Sequence, residues 1–214
     1  MKIIPSILVS DEETFIKEIE GVQESVDSIQ LDIADGKFVP NVTWADPEVV
    51  EKYTTIDVEL HLMGADPMRE MDKWTATEVV KRVLFHYEAV NNHREVIDKI
   101  KSQGWEAGIV INPDTEVDLI EPYLSELDSV MFMGVVPGKQ GQGLITEVLE
   151  KMIKFDSINL GIFTEIDGAV NEETLPVILK TDVKAICPGS AIFKNERTPA
   201  ENINRMEDII NNLT

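Results

Sequence analysis

Eight polar side chains, Ser6, Gln30, Asp32, His61, His86, Asn112, Asp167 and Ser190, stand at or near the ends of short apolar runs spread along the chain. Such groups are costly to bury unless they are paired or put to use. The carboxylates and imidazoles among them are the side-chain types that hold a proton, pass it on or bind a cation. Taken singly, each also reads as a satisfied polar group of a core, and for His86 that reading comes first. Eight at equivalent places point to a site, provided the runs that carry them lie side by side.

The runs are Ile3–Val9, Ser28–Ala34, Ile56–Met63, Arg82–His86, Ala107–Asn112, Ser129–Gly134, Leu160–Asp167 and Val183–Pro188. Several are almost continuously apolar, as parallel strands covered on both faces are. Amphipathic stretches lie between them, among them Glu12–Val22, Arg94–Gln103, Glu116–Leu124 and Leu144–Phe155. Asp11, Asn171 and Thr198 are expected helix N-caps, and Gly104 a helix C-terminal glycine. Strict strand–helix alternation over eight units predicts an α/β chain folded as a single-domain (β/α)8 TIM barrel across residues 1–214, compact beside the usual ~250 residues. Alternation alone also leaves open a doubly wound sheet. In a barrel the C-terminal strand ends share one mouth, and the eight polar groups would meet there.

Of the 214 residues 43% are apolar, enough for a sizeable core. Forty acidic against 19 basic side chains leave a formal charge of −21, which argues against nucleic acid or an anionic membrane as partner. No run approaches the ~18 apolar residues that span a bilayer, and no secretory signal pattern is visible at the N-terminus. The one cysteine, Cys187, lies in an apolar run and reads as a buried, inert thiol in a reducing compartment. A soluble, cytoplasmic protein is expected.

Motifs then follow one another in order at the strand ends: Pro5-Ser6-Ile7-Leu8, Leu31-Asp32-Ile33-Ala34-Asp35-Gly36 with Phe38-Val39-Pro40-Asn41, His61-Leu62-Met63, and Phe85-His86-Tyr87-Glu88-Ala89. Met133-Gly134-Val135-Val136-Pro137-Gly138, Gly141-Gln142, Asp167-Gly168 and Gly189-Ser190-Ala191-Ile192-Phe193 complete the series. From residue 5 to residue 193 the chain resembles the ribulose-phosphate 3-epimerase family. That resemblance implies interconversion of D-ribulose 5-phosphate and D-xylulose 5-phosphate, with Asp32 and Asp167 moving a proton at C3 through an enediolate. It also implies a divalent metal (zinc, manganese, iron or magnesium) on Asp32, His61, Asp167 and the position of Gln30. Ser6, His61, Met63, Met133, Gly138 and Gln142 would contact substrate. The backbone at Gly141, Gly168, Ala169, Gly189 and Ser190 would hold its phosphate. A homo-oligomer is expected on the same ground.

The chain departs from the family pattern near this site. Gln30 replaces a metal-binding histidine, and an amide oxygen is a harder, weaker donor to zinc. A site with lower affinity or a preference for manganese or magnesium, a metal-free site and a changed or lost activity all remain open. Ala169 replaces a glycine, keeping its N–H but disfavouring a positive φ. Gln140 stands for a loop glycine and Lys37 for a loop histidine. Ala34 stands for a methionine, predicting a wider pocket floor. The alternatives are therefore an epimerase of a six-carbon ketose phosphate, or a non-catalytic phosphosugar-binding relative. The orotidine decarboxylase and hexulose-phosphate synthase group falls, since Ala34 holds the place of its lysine. Triosephosphate isomerase falls for want of its catalytic lysine, histidine and glutamate. The loop Val136–Gly143 is expected to move in the absence of ligand.

Overall fold

The computed structural model describes residues 1–138, 142–158 and 161–213. Among them are nine strands: β1 (Lys2–Ile3), β2 (Ser6–Ile7), β3 (Ser28–Ala34), β4 (Asp57–Met63), β5 (Val80–His86), β6 (Glu106–Ile111), β7 (Ser129–Met133), β8 (Phe163–Asp167) and β9 (Ala185–Cys187). They form one sheet in the order β1-β9-β8-β7-β6-β5-β4-β3-β2, every pair parallel. The two edges of that order are halves of one chain stretch, so the sheet closes on itself. The stretch expected as a single strand over Ile3–Val9 is interrupted at Pro5, which has no N–H to give. Its neighbours still bond both ways: Ile4 N–H donates to Ile186 O at 2.9 Å, Ser6 N–H to Pro188 O at 3.1 Å, and Gln30 N–H to Pro5 O at 3.0 Å. Closure leaves no free strand edge and rules out the doubly wound alternative.

The core has two main parts, with a small third cluster of Ala34, Val39 and Met63 beside them. Alternate strand residues face outward against the helices, where Phe15, Ile19, Leu60, Phe85, Phe132 and Phe155 pack in one continuous cluster. Ile4, Leu84, Val110, Met131, Met133, Ala185 and Cys187 form a smaller cluster of their own. Period-two alternation separates the two faces of each strand.

The helices follow their capping chemistry. Asp11 accepts the Thr14 N–H at 2.8 Å and starts α1 (Glu12–Val22). Asp-Pro pairs start α2 (Pro47–Tyr53) and α3 (Pro67–Lys73), the carboxylates accepting from Val49 and Arg69. α4 (His93–Ser102) ends before Gly104, whose φ is +79°. Three expectations are corrected. The segment expected as a helix at Glu116–Leu124 forms two 3-10 pieces, Val117–Leu119 and Glu121–Glu126. Pro122 interrupts it, removing a donor and restricting the residue before it. The helix expected from Leu144 is α5 (Glu147–Asp156). Asn171 accepts from Glu173 and Thr174 N–H and so caps a turn, while Thr174 is the N-cap of α6 (Leu175–Ile178). α7 (Ser190–Phe193) and α8 (Pro199–Leu213) complete the chain, the latter opened by a reciprocal pair in which Thr198 N–H donates to Glu201 and Glu201 N–H to Thr198 Oγ1.

Candidate active site

Strand register brings the polar ends together. Asp32 lies beside His61 across β3 and β4, and Asp167 beside Met133 and Cys187 across β7, β8 and β9. Gln30 and Asp32, two residues apart on one strand, share a face. The result is a buried knot of four side chains. Gln30 Nε2 donates to Asp32 Oδ1 at 2.8 Å and to Asp167 Oδ2 at 2.9 Å, and lies 3.2 Å from His61 Nδ1. His61 Nδ1 is 2.9 Å from Asp32 Oδ1 and 3.5 Å from Asp167 Oδ2. Ser6 Oγ donates to the other Asp32 oxygen at 2.8 Å. Both carboxylates are thereby bridged by one amide group contributed from the position between them.

Behind this knot His61 Nε2 stands 2.9 Å from His86 Nε2, and His86 Nδ1 faces the Glu88 carboxylate at 3.5 Å. Phe38, from the loop after β3, packs its ring on His86 at 4.8 Å. Burial works against charge on both imidazoles. At His61 the hydrogen bonds to Asp167 and Asp32 and their charges outweigh it and push the pKa up to about 9. At His86 burial wins, reinforced by charge on His61 and opposed by Glu88, and the pKa falls to about 4. The two rings are thus pushed in opposite directions, His61 towards the charged form and His86 towards the neutral one.

Asp32, His61 and Asp167 each offer one ligand atom, all within 4.8 Å of one another, and could hold a metal ion. Gln30 Oε1 tests the fit of the fourth position. It is buried and has no hydrogen-bond partner, which is costly for an amide oxygen. Exchanging the two ends of the carboxamide puts that oxygen among the two carboxylates and the imidazole, where a bound cation would offset the repulsion from the carboxylates. The four residues fit a divalent metal with three oxygen donors and one nitrogen.

Above the knot opens a cavity of about 440 Å³. Ser6, Asp32, Met63, Met133, Gly138, Gln142, Asp167, Gly168, Ala169, Gly189 and Ser190 all line it. Gln30 and His61 have no exposed surface and lie beneath its floor. Gly141, with Lys139 and Gln140, lies outside the described residues, as does this part of the loop expected to move. Ala34 packs with Val39 and Met63 at the edge of the cavity, of which Met63 is a wall residue. Gly168 (φ +97°) and Ala169 (φ +56°) turn the chain sharply after β8, and Ala169 is the only non-glycine among the described residues with positive φ. A methyl group on Gly168 would meet Val135 Cγ2 at 2.5 Å.

Two charged wall residues had no signal in the sequence motifs: Glu18 and Lys194. Burial raises the Glu18 carboxyl to about 7 against the pull of Lys194 and Lys17. Nor did any motif reveal the cluster one layer deeper. Glu59 and Glu165 each precede a site residue by two positions and therefore share its face. Arg82 donates to Glu59 at 2.9 Å and to Glu165 at 3.2 Å, with Cys187 Sγ 4.0 Å from both carboxylates. Burial, then the two carboxylates, raises the Cys187 thiol well above its usual range, as suits the inert thiol expected.

A closed (β/α)8 barrel with paired aspartates, a histidine and an amide at its C-terminal mouth belongs to the class of barrel proteins that bind ligands at strand ends. The description of the ribulose-phosphate 3 epimerase family matches residues 2–193. The ribulose-phosphate 3-epimerase of Bacillus subtilis is 35% identical over 201 residues, covering 90% of this chain and 92% of its own. That of Schizosaccharomyces pombe is 31% identical, covering 98% and 93%, and that of Methanocaldococcus jannaschii 34%, covering 95% and 89%. The chain belongs to the ribulose-phosphate 3-epimerase family. Solved structures share its fold at low identity. KGPDC from Streptococcus mutans in complex with D-R5P superposes with a TM-score of 0.76 at 15% identity, covering 99% of this chain and 98% of that one. A tryptophan synthase α-subunit from Pyrococcus furiosus gives 0.71 at 14%, with the same coverage.

Proposed function

We propose that this protein is a carbohydrate-phosphate isomerase, a 3-epimerase that interconverts D-ribulose 5-phosphate and D-xylulose 5-phosphate. One observation carries the reading: Asp32 and Asp167 come from strands on different sides of the barrel, yet both face the same cavity. Inverting a carbon next to a carbonyl requires a base on one face and an acid on the other, and two carboxylates that share partners divide those roles. Asp32, held by Ser6, Gln30 and His61, is fixed in orientation; Asp167 is tied to it through the Gln30 amide. One takes the C3 proton and the other returns a proton to the opposite face through an enediolate. Met63 and Met133 wall the cavity as apolar surface.

A divalent metal on Asp32, His61, Asp167 and Gln30 would supply Lewis-acid stabilisation of the negative charge that develops on the substrate. The oxygen-rich donor set favours manganese, magnesium or iron(II) over zinc. Backbone N–H groups at Gly168, Ala169, Gly189 and Ser190, which line the cavity together with Lys194, would bind the phosphate. Such donors act at short range, which reconciles an anionic substrate with a net charge of −21.

Proton NMR of ribulose 5-phosphate in D2O tests the reading. The wild-type chain should replace the C3 proton with deuterium while xylulose 5-phosphate appears. Asp32→Asn and Asp167→Asn should each slow this by roughly 100-fold to 10,000-fold, the usual worth of general acid–base catalysis. Full rate in either variant would sink the two-aspartate scheme.

A further inference from the structure

Gln30 stands where its two ends present opposite chemistry to the same neighbours. Nε2 points at Asp32 Oδ1, Asp167 Oδ2 and His61 Nδ1 at 2.8, 2.9 and 3.2 Å. Oε1 is buried and without a partner. An amide group satisfied at one end and orphaned at the other is held by the partners it has, at the expense of the one it lacks. We propose that the Gln30 carboxamide is a two-position device: with no metal its NH2 bridges the two catalytic aspartates, and with a divalent cation it turns over so that Oε1 becomes a ligand.

The physical reasons are local. Two carboxylates facing one point repel unless a positive group lies between them, and an amide N–H pair is a neutral stand-in that donates once to each. A histidine at this place could give a metal its ring nitrogen but could not reach two carboxylates with two donors from one atom. The amide keeps the aspartates in place without metal and then yields the same spot to it. Metal entry must break both N–H bonds to carboxylates, so binding is weaker than at a site without them, and the donor left facing the ion is a hard oxygen. Selectivity therefore moves away from zinc. This inference deepens the proposed site and rests on Asp32, His61 and Asp167 holding the metal; it does not depend on which sugar phosphate is turned over.

The experiment uses the full chain, uniformly 15N-labelled and treated with chelator, with Gln30 side-chain amide signals assigned by their loss in Gln30→Glu. Titration with magnesium and, separately, zinc should shift those two proton signals strongly, as their carboxylate acceptors are lost, and speed their exchange with solvent. Isothermal titration of wild type and Gln30→His should show zinc binding tightened by roughly tenfold or more in the variant, because an imidazole nitrogen suits zinc better than an amide oxygen. Magnesium or manganese should bind no tighter there. Amide signals unmoved at saturating metal would overturn the proposal, and so would equal zinc affinity in a folded Gln30→His. Should Gln30→His fail to fold, the wild-type amide titration alone decides. Absence of C3 exchange with the amide response intact would remove the epimerase reading and leave the device standing.

Discussion

His61 is pushed towards the charged form, its pKa up to about 9, and His86 towards the neutral form, its pKa down to about 4, although their ring nitrogens are 2.9 Å apart. Both are fully buried, and the difference lies in what each faces: two aspartates for His61, and an imidazole with one more distant glutamate for His86. The consequence for stability has opposite sign at the two rings. His61, with a folded pKa of about 9 against an ordinary 6.5, adds stability that is complete below 6.5 and is lost as pH rises through 9. His86, with a folded pKa of about 4, adds stability present above 6.5 and lost as pH falls through 4, because the unfolded chain takes up the proton first. Between pH 6.5 and 4.5 only the second of these changes. In urea denaturation of the chelator-treated proteins across that window, the wild type should lose roughly 2–3 kcal/mol relative to His86→Gln, whatever buried carboxyls such as Glu18 contribute to both. An equal fall in both proteins would refute the assignment.

At the scale of the element, the loops after the strands combine tight turns with close packing. Gly134 and Gly168 are neighbours across β7 and β8, and a methyl on Gly134 would meet Gly168 O at 2.4 Å. Beyond them Ala169 adopts φ +56°, its carbonyl accepting from Thr174 Oγ1 at 2.6 Å. Left-handed backbone costs a non-glycine residue roughly 1 kcal/mol, part of which glycine forfeits through the entropy of the unfolded chain. Ala169→Gly is therefore expected to raise stability by about 0.5 kcal/mol, read as a rise of about a degree in Tm. Gly168→Ala should lower Tm by several degrees, since it meets both a φ of +97° and the Val135 side chain. A Tm lowered by Ala169→Gly would show that Ala169 is not strained.

At the scale of the molecule, the barrel interior carries a buried charge cluster beneath its site. Arg82 bridges Glu59, Glu165 and the more exposed Glu106, and its guanidinium lies over the Phe163 ring at 4.7 Å. Burial, and then Glu165, raises Glu59 well above the ordinary carboxylate range, against the pull of Arg82. Removing one partner of such a cluster leaves uncompensated charge inside a closed barrel. Arg82→Met should cost about 3–5 kcal/mol in chemical denaturation, and Glu165→Gln added to it should restore part of the loss. A cost below about 1 kcal/mol would mean that the cluster is neutralised by protons alone. No helix among the described residues is long and apolar enough to cross a membrane.

The sequence by itself determined the strand–helix alternation, the caps at Asp11 and Thr198 and the glycine at 104, and it marked Asp32, His61 and Asp167 as candidates for the site. Each rests on something local: an apolar period, a capping side chain, a motif at a strand end. It also marked Gln30, Ala34 and Ala169 as departures, and it gave Ala169 the right difficulty, a positive φ. What Gln30 does was hidden, because an amide's two ends differ only in which partners they find. The Glu59–Arg82–Glu165 cluster was hidden for a related reason, since its members lie 23 and 83 residues apart. Alternation says which face of a strand a side chain takes. Only the register between strands, and the closure of the sheet through the stretch interrupted at Pro5, decides which side chains on that face meet. Those are energies of the assembled barrel, and no single strand contains them.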